Sequence, residues 1–410
     1  MNMNGREKKG VPIVHGHAAV RTEAASDEAF AEAFDKLSDE TLAVRKQAAA
    51  QIRWTLSNQA AADAARLKLA RNDSDVKTLV SVATQALGET DGDDDPDYLV
   101  DLIASVTLAL LALYDDEIGD FDPAIFAAHA SGEHVPKVLE SFASPAVLTA
   151  VAESWSSALF EFVAFNRYKV EVDRAVAVAL DSLTLLCRIA PGDFSDACGR
   201  VLVEIEPEAD AEATMASYLV FAAFAVVDRQ AAELSLVKMV VRALQDERVP
   251  VVTAALRALT ILRERFRILT GDELLDRACA RHPVAHADRK EFYDLVREVR
   301  SGETSEDITI DFSKAREIPI KVTVEGFSHS VLLSLLRSFI GGAVPAYVKG
   351  STCATSLIGL ERVFPPPPHS TWSFDSRAFQ RLRDDRQRQR HVQRDRARAS
   401  KSGATTAATE

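Results

Sequence analysis

The chain has 410 residues, and 48 Lys and Arg against 61 Asp and Glu give it a net charge of −13. At 47% hydrophobic and 27% charged it has the balance of a soluble globular protein that folds without obligatory staples. An acidic body argues against general binding to phosphate backbones, which requires clustered Lys and Arg.

Residues 1–22 are poor in large apolar groups and read as a disordered leader. His15 and His17 lie in it and read as exposed tail histidines. The N-terminus has no apolar block of signal-peptide length. From Glu23 to Leu87 the pattern predicts four helices, the last capped by Asp73. Asp91, Asp93 and Asp95 have the alternate spacing of a calcium loop, but Pro96 and Leu102 stand where such a loop needs Gly and Glu. The stretch reads instead as a helix start, with Asp95 as N-cap and Pro96 at the first helical position. The apolar run Leu99–Leu113 is interrupted by Asp101, Ser105 and Thr107, and reads as a buried core helix too short to span a bilayer. The acidic connection from Asp115 to Pro123 reads as a solvated loop. Pro145–Phe165 predicts a long helix, apolar round most of its circumference and so buried on two sides. Helices follow over Val170–Ile189, Asp193–Ile205 and Ala209–Val227, punctuated by Pro191-Gly192 and Pro207.

Glu233–Phe266 is the clearest stretch. Leu234, Val237, Val240, Val241 and Leu244 recur at three- and four-residue steps. After Asp246 and Pro250, the spacing returns in Val252, Ala255, Leu256, Leu259 and Leu262. Two amphipathic helices joined by a tight polar turn still leave an apolar flank for the next pair, which is the logic of a helical solenoid. Gly271–Arg281 and His286–Arg300 close the helical part, with Asp272 and Asp288 as first-turn acids.

The pattern recurs along the chain. Asp39 is followed by Val44, Arg45, Ala48, Ala49 and Ile52. Asp73, Val76, Lys77, Ala83, Ala86 and Leu87 form a looser copy, and Asp173, Arg174, Ala175, Ala179 and Leu180 another. These residues resemble the HEAT-repeat motif: an Asp at the intra-repeat turn, Val-Arg, and a small-residue helix ending in a large aliphatic. In the Glu233–Phe266 copy Thr253 stands where the motif has Arg. The resemblance implies a HEAT-like α-solenoid of antiparallel helix pairs, a mainly all-α fold, over residues 23–302.

At Ser301 the character changes. Asp307–Phe312 alternates as a half-buried strand does, Ile318–Val324 predicts a second strand and Val344–Val348 a third. Gly326–Ile340 predicts an amphipathic helix ended by Gly341-Gly342, and Thr352–Val363 a last helix. This is a small α/β unit over 303–364. Asp311-Phe312-Ser313 after a strand, with Ser328 and Ser330 at a helix start, resembles a STAS-type regulatory domain, although the loop is longer than that pattern has. The resemblance marks Ser328 and Ser330 as regulatory, phosphorylatable positions.

Pro365–Pro368 is a stiff spacer, and residues 365–410 form a disordered or partly helical tail. It holds Arg381, Arg383, Arg386, Arg388, Arg390, Arg394, Arg396 and Arg398 against Asp384, Asp385 and Asp395. This one basic stretch can grip nucleic acid or another anionic surface, but it lacks interleaved aromatics for base stacking.

The sequence contains no Gly-rich phosphate loop, no Gly-x-Ser-x-Gly and no His-Glu-x-x-His. HEAT-like deoxyhypusine hydroxylases bind iron through His-Glu dipeptides, and none occurs here. Cys187, Cys198, Cys279 and Cys353 form no Cys-x-x-Cys pair and read as reduced core thiols, which fits the cytoplasm. The expectation is a cytoplasmic, non-enzymatic scaffold or adaptor with protein partners and no cofactor, metal or membrane span. The alternatives are a signalling or taxis adaptor switched through its C-terminal unit, and a nucleic-acid-associated protein working through its tail.

Overall fold

Proline or aspartate stands in the first two positions of the helices that begin at Asp73, Pro96, Pro145, Asp173, Pro191, Val249 and Val344. The computed structural model describes residues 29–58, 62, 65, 69, 73–89, 95–114, 145–205, 211–228, 234–266, 275–276, 289–302, 304–310 and 320–360. Asp95 accepts from the Asp97 N–H at 3.1 Å and Pro96 takes the first helical position, as the sequence predicts. The cap satisfies an amide that lacks a helical partner, and proline has no amide to leave unpaired.

A helical segment at 29–36 comes first. The elements with both ends described are thirteen α-helices, two short 3-10 helices (Val170–Val172 and Gly341–Ala343) and two strands. They are α1 (Leu42–Ser57), α2 (Asp73–Gly88), α3 (Pro96–Leu113), α4 (Pro145–Asn166), α5 (Asp173–Ile189), α6 (Pro191–Glu204) and α7 (Glu212–Asp228). After these come α8 (Leu234–Ala243), α9 (Val249–Phe266), α10 (Arg289–Ser301), β1 (Ser305–Ile310), β2 (Ile320–Glu325), α11 (Phe327–Ile340), α12 (Val344–Gly350) and α13 (Thr352–Leu357). The fold is mainly all-α. The leader with His15 and His17, Asp91–Asp94, the connection Asp115–Pro123, Asp272, Cys279, Asp288 and everything beyond residue 360 lie outside the described residues.

Five helices pack in chain order as a row, α1 on α3, α3 on α5, α5 on α7 and α7 on α9. Beside the row, α2 packs on α4 and α4 on α6. A helix with neighbours on both sides must be apolar nearly all round. Accordingly 78% of α3 is buried within the fold, although it is long and apolar enough to cross a bilayer. Residues Tyr218–Val226 of α7 are buried without a break.

Polar contacts fix the register of the first three steps of the row. Arg53 donates to Asp101 at 2.6 Å between α1 and α3. Thr107 and Ser182 share a buried hydrogen bond of 2.6 Å between α3 and α5. Asp173, at the start of α5, accepts the Ala213 and Thr214 amides at 2.9 and 2.8 Å. It therefore caps α7 from a neighbouring helix, placing a carboxylate on two unpaired amides at the positive end of the dipole. In the turn between α8 and α9, Asp246 takes both Nε and a terminal guanidinium nitrogen of Arg248 at 2.9 and 2.8 Å. That bidentate pair holds the Asp246 carboxyl below its ordinary range.

The antiparallel hairpin pairs Ser305 with Glu325 and Ile308 with Val322. Ile308, Val322 and Val324 face inward, as the alternation predicts. The expected third strand is a correction: Val344–Val348 lies in helix α12. Pro345 sits in its first turn, where its fixed φ favours a helix, and Gly341 at φ +48° turns the chain into it. The last helix ends at Leu357, earlier than the predicted Val363.

The C-terminal segment closes no core of its own. All described residues belong to one compact unit within Met1–Phe364, and one hydrophobic cluster runs from Phe30 to Leu360. Helix α11 touches α9, α5, α3 and α1, crossing the row. Beyond it, the fully buried Tyr347 donates its hydroxyl to the Leu56 carbonyl at 3.1 Å. Cys353 Sγ donates to the Tyr114 carbonyl at 2.9 Å. Both carbonyls stand at the C-terminal ends of row helices, where backbone acceptors lack helical partners. Gly359, at φ +71°, lies against the His329 side chain, and a Cβ there would meet the imidazole at 2.6 Å.

Replacing Asp173 by Ala should uncap α7 and lower stability by about 1–2 kcal/mol. Denaturant unfolding measures this, and an unchanged midpoint would show that the Asp173 cap carries no stability.

Candidate functional site

Among the described residues, two clefts are lined by both acidic and basic side chains. Both lie where α11 meets the row.

The first is at the N-terminus of α11. Glu264, near the end of α9, accepts the Ser328 amide at 3.0 Å and the Ser328 hydroxyl at 2.6 Å. Gly326, at φ +92°, permits this approach, because a Cβ there would lie 3.0 Å from Glu264 Oε1. His329 is held by its Nδ1, 2.9 Å from the Glu325 carbonyl oxygen. Beneath them is a cleft of about 990 Å³ lined by Arg263, Glu264, Arg297, Glu298, Thr304 and Glu325, among others. Arg263 donates to the Val299 carbonyl at 2.6 Å, and Thr304 to Glu298 at 2.9 Å. Arg263, Glu264 and Glu298 at this cleft are thus engaged in joining α9 to α10, α9 to α11 and α10 to the approach to β1.

The second is a cleft of about 470 Å³ between α5, α7, α9, α10 and α11. Asp181 of α5, Ser217 of α7 and Arg257 of α9 line it, with Phe292 and Leu335 among its apolar walls. Burial pushes the Asp181 carboxyl up to about 6, against a lowering hydrogen bond from Ser217 and the positive charge of Arg257. Desolvation therefore outweighs both favourable contacts.

Of the residues marked by sequence, Ser328 and Ser330 both fall in the first turns of α11 and are half-buried. Ser328 is the one joined to Glu264, while the Ser330 amide donates to Gly326 in the ordinary helical way. The eight tail arginines, Arg381 to Arg398, lie outside the described residues. Asp181, Ser217, Arg257 and Glu264 were not singled out. A signal for two of them was present: Asp181 and Arg257 each interrupt an apolar run, DSLTLL and ALRALTIL. A charge in such a stripe either pairs or lines a cavity. Among the described residues no group of three or more His, Cys, Asp or Glu is placed to hold a metal ion.

Compared with known proteins, the chain matches no family model and no curated sequence.

Asp181 sets a pH dependence of stability. Below about pH 4 it is protonated whether the chain is folded or not. As pH rises the unfolded form ionises first, so stability falls until about pH 6 is passed. Between about pH 4 and 7 the wild type should lose on the order of 2–3 kcal/mol relative to Asp181→Asn. Parallel unfolding curves for the two proteins would refute this.

Proposed function

We propose that this chain is a non-enzymatic cytoplasmic adaptor that binds a protein partner through the α1–α3–α5–α7–α9 row, and that α11–α13 is a switchable cover on that row. The row is read as a HEAT-like α-solenoid, because serial neighbour packing is how such arrays grow. The observation that carries the reading is the crossing of α9, α5, α3 and α1 by one amphipathic helix of the same chain. An amphipathic helix laid into an apolar groove is a recurring mode of protein recognition. Here the chain's own C-terminal segment takes that place, and a partner helix would compete with it.

Ser328 is the switch in this reading. Its hydroxyl donates to a carboxylate, and a phosphate at that oxygen has no proton to donate and carries negative charge. Repulsion from Glu264 would be worth between about 1 and 4 kcal/mol per unit charge, depending on how far water screens it. The exposure of Glu264 favours the lower end. Modification would loosen the start of α11 and leave its buried apolar face, with the Tyr347 and Cys353 contacts of α12 and α13, as the remaining ties.

The test is hydrogen exchange on Ser328→Glu and Ser328→Ala beside a binding assay. Amides of α11 should exchange several-fold faster in Ser328→Glu than in Ser328→Ala, with α3 and α5 unchanged, and Ser328→Glu should retain more of a stoichiometric partner. Equal protection of α11 in both variants, with no partner retained by either at low or high salt, would rule the reading out.

A further inference from the structure

Seven large apolar side chains are exposed among the described residues, and four of them gather at one edge of the fold. Phe165 (76% exposed), Tyr168 (48%) and Val170 (64%) lie at the end of α4 and in the turn to α5. Val203 (77%) lies at the end of α6. The guanidinium of Arg200 in α6 stands 3.6 Å from the centroid of the Phe160 ring in α4. Phe165 and Val203 each follow that contact by about one turn, so both lie at the same end of the α4–α6 pair. Single exposed apolar residues need no explanation, but a group of them at one edge marks an interaction site.

The turn that carries the patch is well ordered. Asn166 is buried and donates its side-chain amide to the Phe162 carbonyl at 3.0 Å. The Arg167 amide donates to the Val163 carbonyl at 3.0 Å, and the Lys169 amide to the Asn166 carbonyl at 2.9 Å. A surface already ordered has little freedom left to lose on docking. Its charges are of both signs. Arg167 donates to the Ala164 carbonyl and stands 4.2 Å from the Tyr168 ring centroid, and among the described residues it pairs with no carboxylate. Glu171, on the other side of Tyr168, is exposed and pairs with no cation among the described residues.

An apolar centre flanked by one unmatched cation and one unmatched anion is complementary to itself. In a two-fold contact the same patch serves both copies, and each pairing between them occurs twice. Arg167 of each copy then faces Glu171 of the other, across Phe165, Tyr168, Val170 and Val203. A wholly acidic or wholly basic partner would match one of these charges and be repelled by the other. An anionic bilayer would likewise meet Glu171 and Glu204, both exposed at this edge.

We propose that the chain forms a two-fold dimer through the α4–α5 turn and the end of α6. At about 150–250 Å² for a whole aromatic side chain, Phe165 and Tyr168 leave roughly 200–300 Å² in water. That is a part of the ~800 Å² that each partner gives to a standard interface. The dimer is therefore weak and reversible, with a dissociation constant on the order of 1–100 µM. The patch lies on α4, α6 and the α4–α5 turn, whereas α11 crosses α9, α5, α3 and α1. Self-association thus requires neither a partner on the row nor movement of α11.

Sedimentation equilibrium of the full chain between about 1 and 300 µM tests this. The wild type should pass from monomer to dimer within that range. Phe165→Ser changes an exposed site and leaves the core intact, and it should remain monomeric. Arg167→Glu and Glu171→Arg should each weaken association about tenfold, because like charges replace both opposite pairs. Mixed in equal amounts, these two variants should associate about as tightly as the wild type, since each supplies the charge the other lacks. A merely structural role for either residue would not produce that rescue. A wild type that stays monomeric throughout, a Phe165→Ser variant that dimerises undiminished, or a mixture that associates no better than its components would overturn the proposal.

Discussion

The apolar stripe of α11 has one place to go, and that place is the row. Eight of its fourteen residues are buried apolar side chains, worth together about 12–24 kcal/mol by transfer. Ordering fourteen residues opposes this by about 14–28 kcal/mol of backbone entropy. The two nearly cancel, so contacts at the ends of the segment decide how firmly it is held. Those contacts are Ser328 on Glu264 at the start and, at the other end, the buried Val344, Val348, Leu357 and Ile358 together with Tyr347 and Cys353 on carbonyls at the C-terminal ends of α1 and α3. On the proposed function this segment is a movable cover, and a change of a few kcal/mol at one end would shift its equilibrium.

The same crossing completes the row itself. Helices α3 and α7 are apolar nearly all round and already have neighbours along the row and beside it. The capping carbonyls and amides form a second set of ties: Asp173 serves α7, Tyr347 serves α1 and Glu264 serves α11. Each satisfies a helix end with a group from elsewhere in the chain, which joins local structure to tertiary structure.

Local signals were legible and long-range ones were not. Asp95-Pro96 announced the start of α3, and Ile318–Val324 announced β2, because caps and alternation act within a few residues. Val344–Val348 misled because a five-residue apolar run fits strand and helix alike. Proline decided in favour of a helix, placed as it is just after a glycine turn. The crossing of the row by α11 could not be read from spacing, since Tyr347 meets Leu56 across 291 positions. The candidate sites followed the same division. Ser328 stood out at a helix start, whereas Glu264, its partner, is one exposed charge among many. Asp181 and Arg257 were visible as charges within apolar stripes, but only the packing of α5 on α7 and α7 on α9 brings them to one cleft.

Residues 327–357 cross and cover the row, and on the proposed function they part from it. A chain ending at Gly326, unfolded beside the full protein and then titrated with a peptide of residues 327–360, tests that most directly. The shortened chain should bind an apolar dye and unfold with a lower, broader transition. The peptide should restore the sharp transition and displace the dye. A shortened chain that unfolds like the whole protein, with no response to the peptide, would contradict the account.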